Sequence, residues 1–259
     1  DENAPRFKAL YMVLYEVAIP APQEEGTAPA RPMRELVSAM EQLYSGLLSV
    51  ADASLGEAAY FTMELAVPAN RPELFFYVAV PNRKTDLFEK QVLAIFPNAQ
   101  VTPQPNDYNI FARGGTSVGA RAVFVEVPML PLKDYTEFDH DPVHAILNAF
   151  AKIEHEGEGA ALQFVVEPRY DRHVKHYQKV LTALRKGKSR KEAFSLPETI
   201  LGEVLHEFGQ TLFGSSKSKD EGKVREAEAR ELEANKKVIE QIERQIASPI
   251  VAVTIRIAV

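Results

Sequence analysis

Residues 73–101 leave this chain few ways to fold. Leu74-Phe75-Phe76-Tyr77-Val78-Ala79-Val80 is aromatic and β-branched and closes on Pro81-Asn82, which predicts a strand with little polar surface. Leu87, Phe88, Val92, Leu93 and Phe96 then recur at helical spacing, Pro97-Asn98 stops the helix, and Ala99-Gln100-Val101 begins another extended run. A strand, a helix and a strand joined by tight turns form a right-handed crossover, whose helix has to cover one face of a sheet. Much of the remaining chain reads as copies of this unit or as material placed between copies.

Upstream, residues 7–20 alternate as a first strand, and the Pro-, Ala-, Gly- and Glu-rich stretch 20–32 reads as a loop. Pro32 opens an amphipathic helix with Met33, Leu36, Val37, Met40, Leu43, Tyr44, Leu47 and Leu48 on one stripe, read as core. Residues 58–67 form the next strand, with Tyr60, Thr62, Glu64 and Ala66 on one face and Phe61, Met63, Leu65 and Val67 on the other. The order from 7 to 101 is β-α-β-β-α-β, the ferredoxin-like split βαβ arrangement. A hairpin is expected next, 108–113 and 117–127 around Gly114-Gly115.

Residues 128–139 read as a linker. The pattern then restarts with a helix from Pro142 and a strand at 160–168. Next come a basic helix at 170–186, a helix at 196–213, a long charged helix at 224–246 and a last strand from Ile250. With 122–127 as its opening strand, this half reads as β-α-β, a helical insertion, and β. The fold class expected is therefore α+β: two ferredoxin-like repeats, each with its own helix-covered sheet, the second truncated at its C-terminal end. The first domain spans 1–128 with the hairpin. The second spans 129–259 with an insertion over about 170–247.

Composition excludes several function classes. There is no cysteine, which removes thiolate nucleophiles and cysteine-held metals and suits a reducing cytoplasm. A net charge of −6 argues against wholesale coating of nucleic acid. No apolar run is long enough to span a bilayer, and no signal peptide is visible. The chain starts at Asp1 and ends on a strand, so the reading expects a piece of a longer protein, with any membrane anchor upstream.

No motif announces chemistry. Residues 114–121 carry the Gly-x-x-x-x-Gly frame of a phosphate-binding loop, but Ala120 and Arg121 stand where Lys and Ser or Thr are required. Gly187-Lys188-Ser189 lacks the upstream glycine, Thr182 occupying that position. His140 with His144, and His173 with His176 beside Asp171, have spacings that suit zinc. Pro142 separates the first pair from its helix, while Arg172, Lys175 and Lys179 surround the second, so solvent-facing histidines are expected. No nucleophile elbow is present, and Glu154, Glu156 and Glu158 around Gly157 read as a solvated loop. No catalytic residue, metal or cofactor is assigned.

The strongest polar signal is basic: Arg169, Arg172, Lys175, Lys179, Arg185, Lys186, Lys188, Arg190 and Lys191 lie close together in an acidic chain. Such a segment suits nucleic-acid phosphates or an anionic membrane surface, or is simply a solvated helix face. In the helix at 224–246, Glu226-Arg230, Glu233-Lys237 and Glu240-Arg244 pair at i, i+4. Its narrow seam of Leu232, Ile239, Ile242 and Ile246 is interrupted at Glu228 and Asn235, so a strict coiled coil is not expected.

The strand Phe75-Phe76-Tyr77-Val78-Ala79-Val80-Pro81, the helix segment Phe88-Glu89-Lys90-Gln91 and Phe96-Pro97-Asn98-Ala99 resemble the N-terminal region of bacterial conjugation- or type IV secretion-type (coupling-protein-like) ATPases. Asp141-Pro142, the strand beginning Gly159-Ala160-Ala161-Leu162-Gln163 and the long charged helix fit as well. The resemblance implies a non-catalytic accessory module, cytoplasmic and membrane-associated, in a homo-oligomeric translocation machine whose motor lies elsewhere in the chain. Its partners would be the remainder of its own chain and, through the basic segment, DNA or an anionic membrane. The competing readings are a stand-alone small-ligand or enzyme domain and a DNA-binding module.

Overall fold

The computed structural model describes residues 11–19, 33–50, 60–71, 73–125, 130, 132, 142–153, 157–168, 171–196, 221–248 and 250–259. For 33–38, 49–50, 142–143, 168, 171–173, 221–231 and 234 only the backbone is described. The elements are β1 (Met12–Ala18), α1 (Met33–Val50), β2 (Phe61–Val67), β3 (Phe75–Pro81), α2 (Thr85–Ile95) and β4 (Gln100–Gln104). They are followed by β5 (Gly119–Arg121), α3 (Pro142–Phe150), β6 (Ala160–Pro168), α4 (Asp171–Arg185), α5 (Arg190–Phe194), α6 (Glu221–Ile246) and β7 (Val251–Ala258). The fold is α+β. The expected helix at 196–213 lies outside the described residues, apart from Leu196.

All the strands belong to one seven-stranded antiparallel sheet, in the order β4-β1-β3-β2-β6-β7-β5. Two separate sheets were expected. They are one because β2 and β6 pair along their whole lengths, Phe61 opposite Val166 through Val67 opposite Ala160. Both strands are apolar on alternate positions, so pairing them buries two edges at once.

The expected hairpin is also absent. Gly114 does take a left-handed conformation (φ 82°), and the Gly115 amide donates to the Ala112 carbonyl. Within the expected second strand, 117–127, the described strand is Gly119–Arg121, and it pairs with β7 instead of with 108–113. β4 and β5 lie at opposite ends of the sheet, about 29 Å apart at ordinary strand spacing. Residues 105–118 therefore cross a sheet face as a strap.

The chain forms two compact units. The first comprises Asp1–Ala122, Asp139–Pro168 and Ala252–Val259, and the second Val123–Phe138 and Arg169–Val251. In the first, α1 and α2 lie side by side. Leu43 and Leu47 of α1 and Phe88 and Val92 of α2 are buried, as their spacing predicts. Tyr15 meets Phe88 with ring centroids 5.1 Å apart, so the face carrying Tyr15, Val17, Val78 and Val80 is the helix-covered one. The alternate residues of each strand form the opposite face.

In the second unit, α4 packs on α5 and α6 through Val180, Leu184, Ala193, Val238 and Ile242. Asn235 is fully buried there. Its amide donates to the Lys188 carbonyl at 3.0 Å and its oxygen accepts from the Arg190 guanidinium at 3.1 Å. The polar residue that interrupts the apolar seam thus ties α6 to the turn between α4 and α5.

Candidate functional site

On the face opposite α1 and α2, one residue from each of several strands falls into a transverse row. Thr102 lies across from Glu16, Glu16 from Tyr77, Tyr77 from Glu64, Glu64 from Gln163, and Arg256 from Arg121. The Arg256 guanidinium donates to the Gln163 amide oxygen at 3.4 Å, which joins the two halves of the row. Strand alternation alone puts these side chains on one face.

Glu64 is the centre. It is 6% exposed, the buried carboxylate of a strand that is otherwise Phe-Thr-Met-x-Leu-Ala-Val. Its Oε1 accepts from the Thr62 hydroxyl and from the Gln163 amide, each at 2.8 Å, and its Oε2 accepts from the Tyr108 hydroxyl. Tyr108 belongs to the strap. Its ring stacks on Tyr77 with centroids 4.5 Å apart and planes within 9°. Farther along the strap, Asn109 accepts from the Ala69 amide at 2.9 Å, and Ile110 is buried with Ala66, Tyr77 and Ala161.

Burial pushes the Tyr108 phenol well above its ordinary value, and the Glu64 charge and hydrogen bond add to the rise. Asp107 is raised by burial and by the charge of Glu64, against a lowering hydrogen bond from the Tyr108 backbone. Tyr77 is raised, burial again first. At neutral pH these phenols are therefore hydrogen-bond donors, never bases. With both oxygens of Glu64 already accepting, the cluster pins the strap to the sheet.

Beside the strap runs a groove of about 1130 Å³, lined by Leu14, Tyr60, Thr62, Gln163, Tyr108 and Arg256 among others. Elsewhere on this face Glu16 accepts from Arg71 at 3.3 Å and from Gln104 at 3.4 Å, and Arg71 sits 3.8 Å above the Phe75 ring. Among the described residues no group of three or more His, Asp and Glu side chains is placed to hold a metal ion.

The basic segment belongs to the second unit. Lys175 and Lys179 are exposed on α4, Lys186 follows it, and Lys191 is exposed on α5. Arg185 pairs with Glu243, Lys188 with Glu192 at 3.6 Å, and Arg190 with Asn235. Arg169 lies outside the described residues, and only the backbone of Arg172 is described.

Gly187-Lys188-Ser189 proves to be a helix connection: Gly187 has φ 76°, and Ser189 caps α5 by accepting from the Glu192 amide at 3.3 Å. Residues 114–121 run into β5 and not into a helix. His144 is exposed, whereas His176 is 4% exposed and not solvent-facing as expected. It lies one helical turn before Val180 and so falls on the buried stripe of α4. His140 lies outside the described residues, and only the backbone of His173 is described.

The family described as "Domain of unknown function (DUF8128)" matches residues 16–259. The chain belongs to the DUF8128 family. No curated protein and no solved structure matches it. No helix among the described residues is long and apolar enough to cross a membrane.

Sequence reasoning passed over the row that this DUF8128 chain assembles. Its one visible trace was Glu64, an acid in the middle of an apolar strand. The partners Tyr108, Gln163 and Arg256 are brought to it from 44, 99 and, through Gln163, a further 93 residues along the chain.

Proposed function

We propose that this chain is a non-catalytic accessory and assembly module of a membrane-associated conjugation- or secretion-type ATPase, acting through protein–protein contacts in a homo-oligomeric machine. The sequence likeness of residues 75–99 and 141–163 to such proteins suggests the context. The observation that carries the non-catalytic part is the Glu64 cluster. Glu64, the buried acid of the open face, accepts three hydrogen bonds from donors of its own chain, with each oxygen engaged, which supports a structural role for it.

The strand order supports a finer reading of the fold. β4-β1-β3-β2 with α1 and α2 has the order of a ferredoxin-like unit, and β5-β7-β6 with α3 repeats its first three strands. We read the sheet as two such repeats, the second truncated and interrupted by the α4–α6 insertion.

Two measurements test the function. The gene's full reading frame is expected to encode a phosphate-binding loop downstream and apolar segments upstream. The isolated chain is expected to turn over no ATP. Turnover by the chain alone, or a frame lacking both features, overturns the reading.

A second reading, contact with DNA, is favoured by the exposure of Lys175, Lys179, Lys186 and Lys191 on α4, α5 and the turn joining them. Its test is the salt dependence of duplex binding in a variant with Lys175, Lys179, Lys186 and Lys188 changed to Glu. Unaltered affinity eliminates the segment as the contact.

A further inference from the structure

Two arginines meet on the open face of the sheet with no acid between them. Arg121 of β5 lies directly opposite Arg256 of β7. Val118 and Val259 exchange both amide–carbonyl bonds at 2.9 Å, and the Ala122 amide donates to the Ile255 carbonyl at 3.0 Å. Bonded and unbonded pairs alternate along an antiparallel ladder, so 121 and 256 form one of the closely spaced unbonded pairs. Both side chains are exposed, and among the described residues no carboxylate pairs with either guanidinium. Like charges set directly across a ladder repel. An oxyanion between them replaces that repulsion with charge-assisted hydrogen bonds.

Arg256 is also held in place. The Gln163 amide nitrogen donates to Glu64 at 2.8 Å, which leaves the amide oxygen to accept from the Arg256 guanidinium at 3.4 Å. The buried carboxylate thus acts at one remove, fixing the amide that positions the arginine. A guanidinium has five N–H donors, and this contact uses one of them.

Arg256 lines the groove of about 1130 Å³ beside the strap. Thr254, Val165, Thr62, Ala79 and Leu14 each line it from a different strand, β7 through β1, a span of about 19 Å at ordinary strand spacing. All five are uncharged. The acids of the lining are Glu64, whose oxygens are engaged, Asp107 on the strap and Glu167 on β6. Burial raises the Tyr60 phenol while the Arg256 charge pulls it down, and the balance keeps it a proton donor to the groove. Positive charge is therefore gathered at the Arg121–Arg256 end, and the rest of the groove repels a second anionic group.

We propose that the Arg121–Arg256 pair and the adjoining groove bind a small phosphate monoester, its phosphoryl head between the guanidiniums and its uncharged body along the groove. Such a head carries about 1.5 to 2 negative charges at pH 7, which two arginines match. A single carboxylate leaves one arginine unmatched, and a polyphosphate sets further negative charge against Asp107 and Glu167. The site adds a ligand to the chain and stands independently of its reading as an accessory module.

The test is calorimetric titration of the whole chain with phenyl phosphate, inorganic phosphate and benzoate. Phenyl phosphate is expected to bind at least about tenfold more tightly than either of the others. Arg121→Gln and Arg256→Gln, each an exposed change, are expected to weaken it at least about tenfold with the thermal melt unchanged, whereas Lys175→Gln leaves it as it was. Ala79→Leu, which narrows the groove, is expected to bring phenyl phosphate down towards inorganic phosphate and to leave inorganic phosphate unaltered. No binding of phenyl phosphate, equal affinity in the two arginine variants, or inorganic phosphate binding as tightly as phenyl phosphate overturns the proposal. So does displacement of phenyl phosphate by duplex DNA that depends on Arg121 and Arg256, which would give the pair to a phosphodiester backbone.

Discussion

Tyr108 does two jobs that sequence statistics treat separately: its ring lies on Tyr77 and its hydroxyl serves Glu64. Replacing it with phenylalanine keeps the stack and removes one donor from a buried carboxylate, at a cost of roughly 1–3 kcal/mol. Urea denaturation of Tyr108→Phe checks this as a lower midpoint at unchanged slope. The pH dependence has a definite sign. A phenol raised above 10.0 in the folded state holds its proton where the unfolded chain has lost it. Its stabilising contribution is complete below that value and is lost as pH climbs through the range above it. Tyr15, pushed up to about 12 mainly by burial and then by Glu89, adds to the same loss. Stability is expected to fall from about pH 10 upward, and more gently in Tyr108→Phe; unfolding curves taken across that range decide. Asp107, raised from 3.8, has the same sign in the acid range, its contribution fading as pH rises through its raised value.

At the scale of elements, the strap and the α4–α6 pair are both fastened by backbone contacts that no periodicity announces. Gly159 lies under the strap, where an added Cβ would come within 2.3 Å of the Ile110 carbonyl oxygen and 2.7 Å of its Cα. Backbone cannot rotate aside as a side chain does, so Gly159→Ala has to lift the strap, at about 1–3 kcal/mol. The amide of Ala69, which donates to Asn109, is the reporter: its hydrogen exchange is expected to quicken in the variant while β1–β3 amides keep theirs. In the second unit, Asn235→Ala strips a partner from the Lys188 carbonyl and from Arg190 in a site with no exposure. Thermal melting should show a loss of about 1–3 kcal/mol, larger than for an alanine at the exposed neighbour Lys236.

At the scale of the molecule, the sheet is finished by the last strand, after an excursion of some eighty residues between β6 and β7. β7 is the described partner of β5 and supplies the neighbour that β6 has on its outer side. Deleting 251–259 is therefore expected to strip protection from Val118 and Ala122, residues more than a hundred positions away, and to lower the melting temperature. Retention of that protection in the shortened chain would refute this account of the sheet.

What the sequence determined by itself was local. Short-range spacing placed β3, α2 and β4 within a residue or two, because a helical stripe and a β-branched run each need only their own neighbours to declare which face is buried. It also placed Glu64 on the less apolar face of β2. Tertiary structure decided everything that depended on which strand lies beside which. The β2–β6 pairing merged two expected sheets into one, a strap replaced the expected hairpin, His176 turned inward, and the Glu64 row was assembled from seven strands and a loop. Pairing partners are chosen by the burial that the whole sheet gains, and that sum is not contained in any single window of residues.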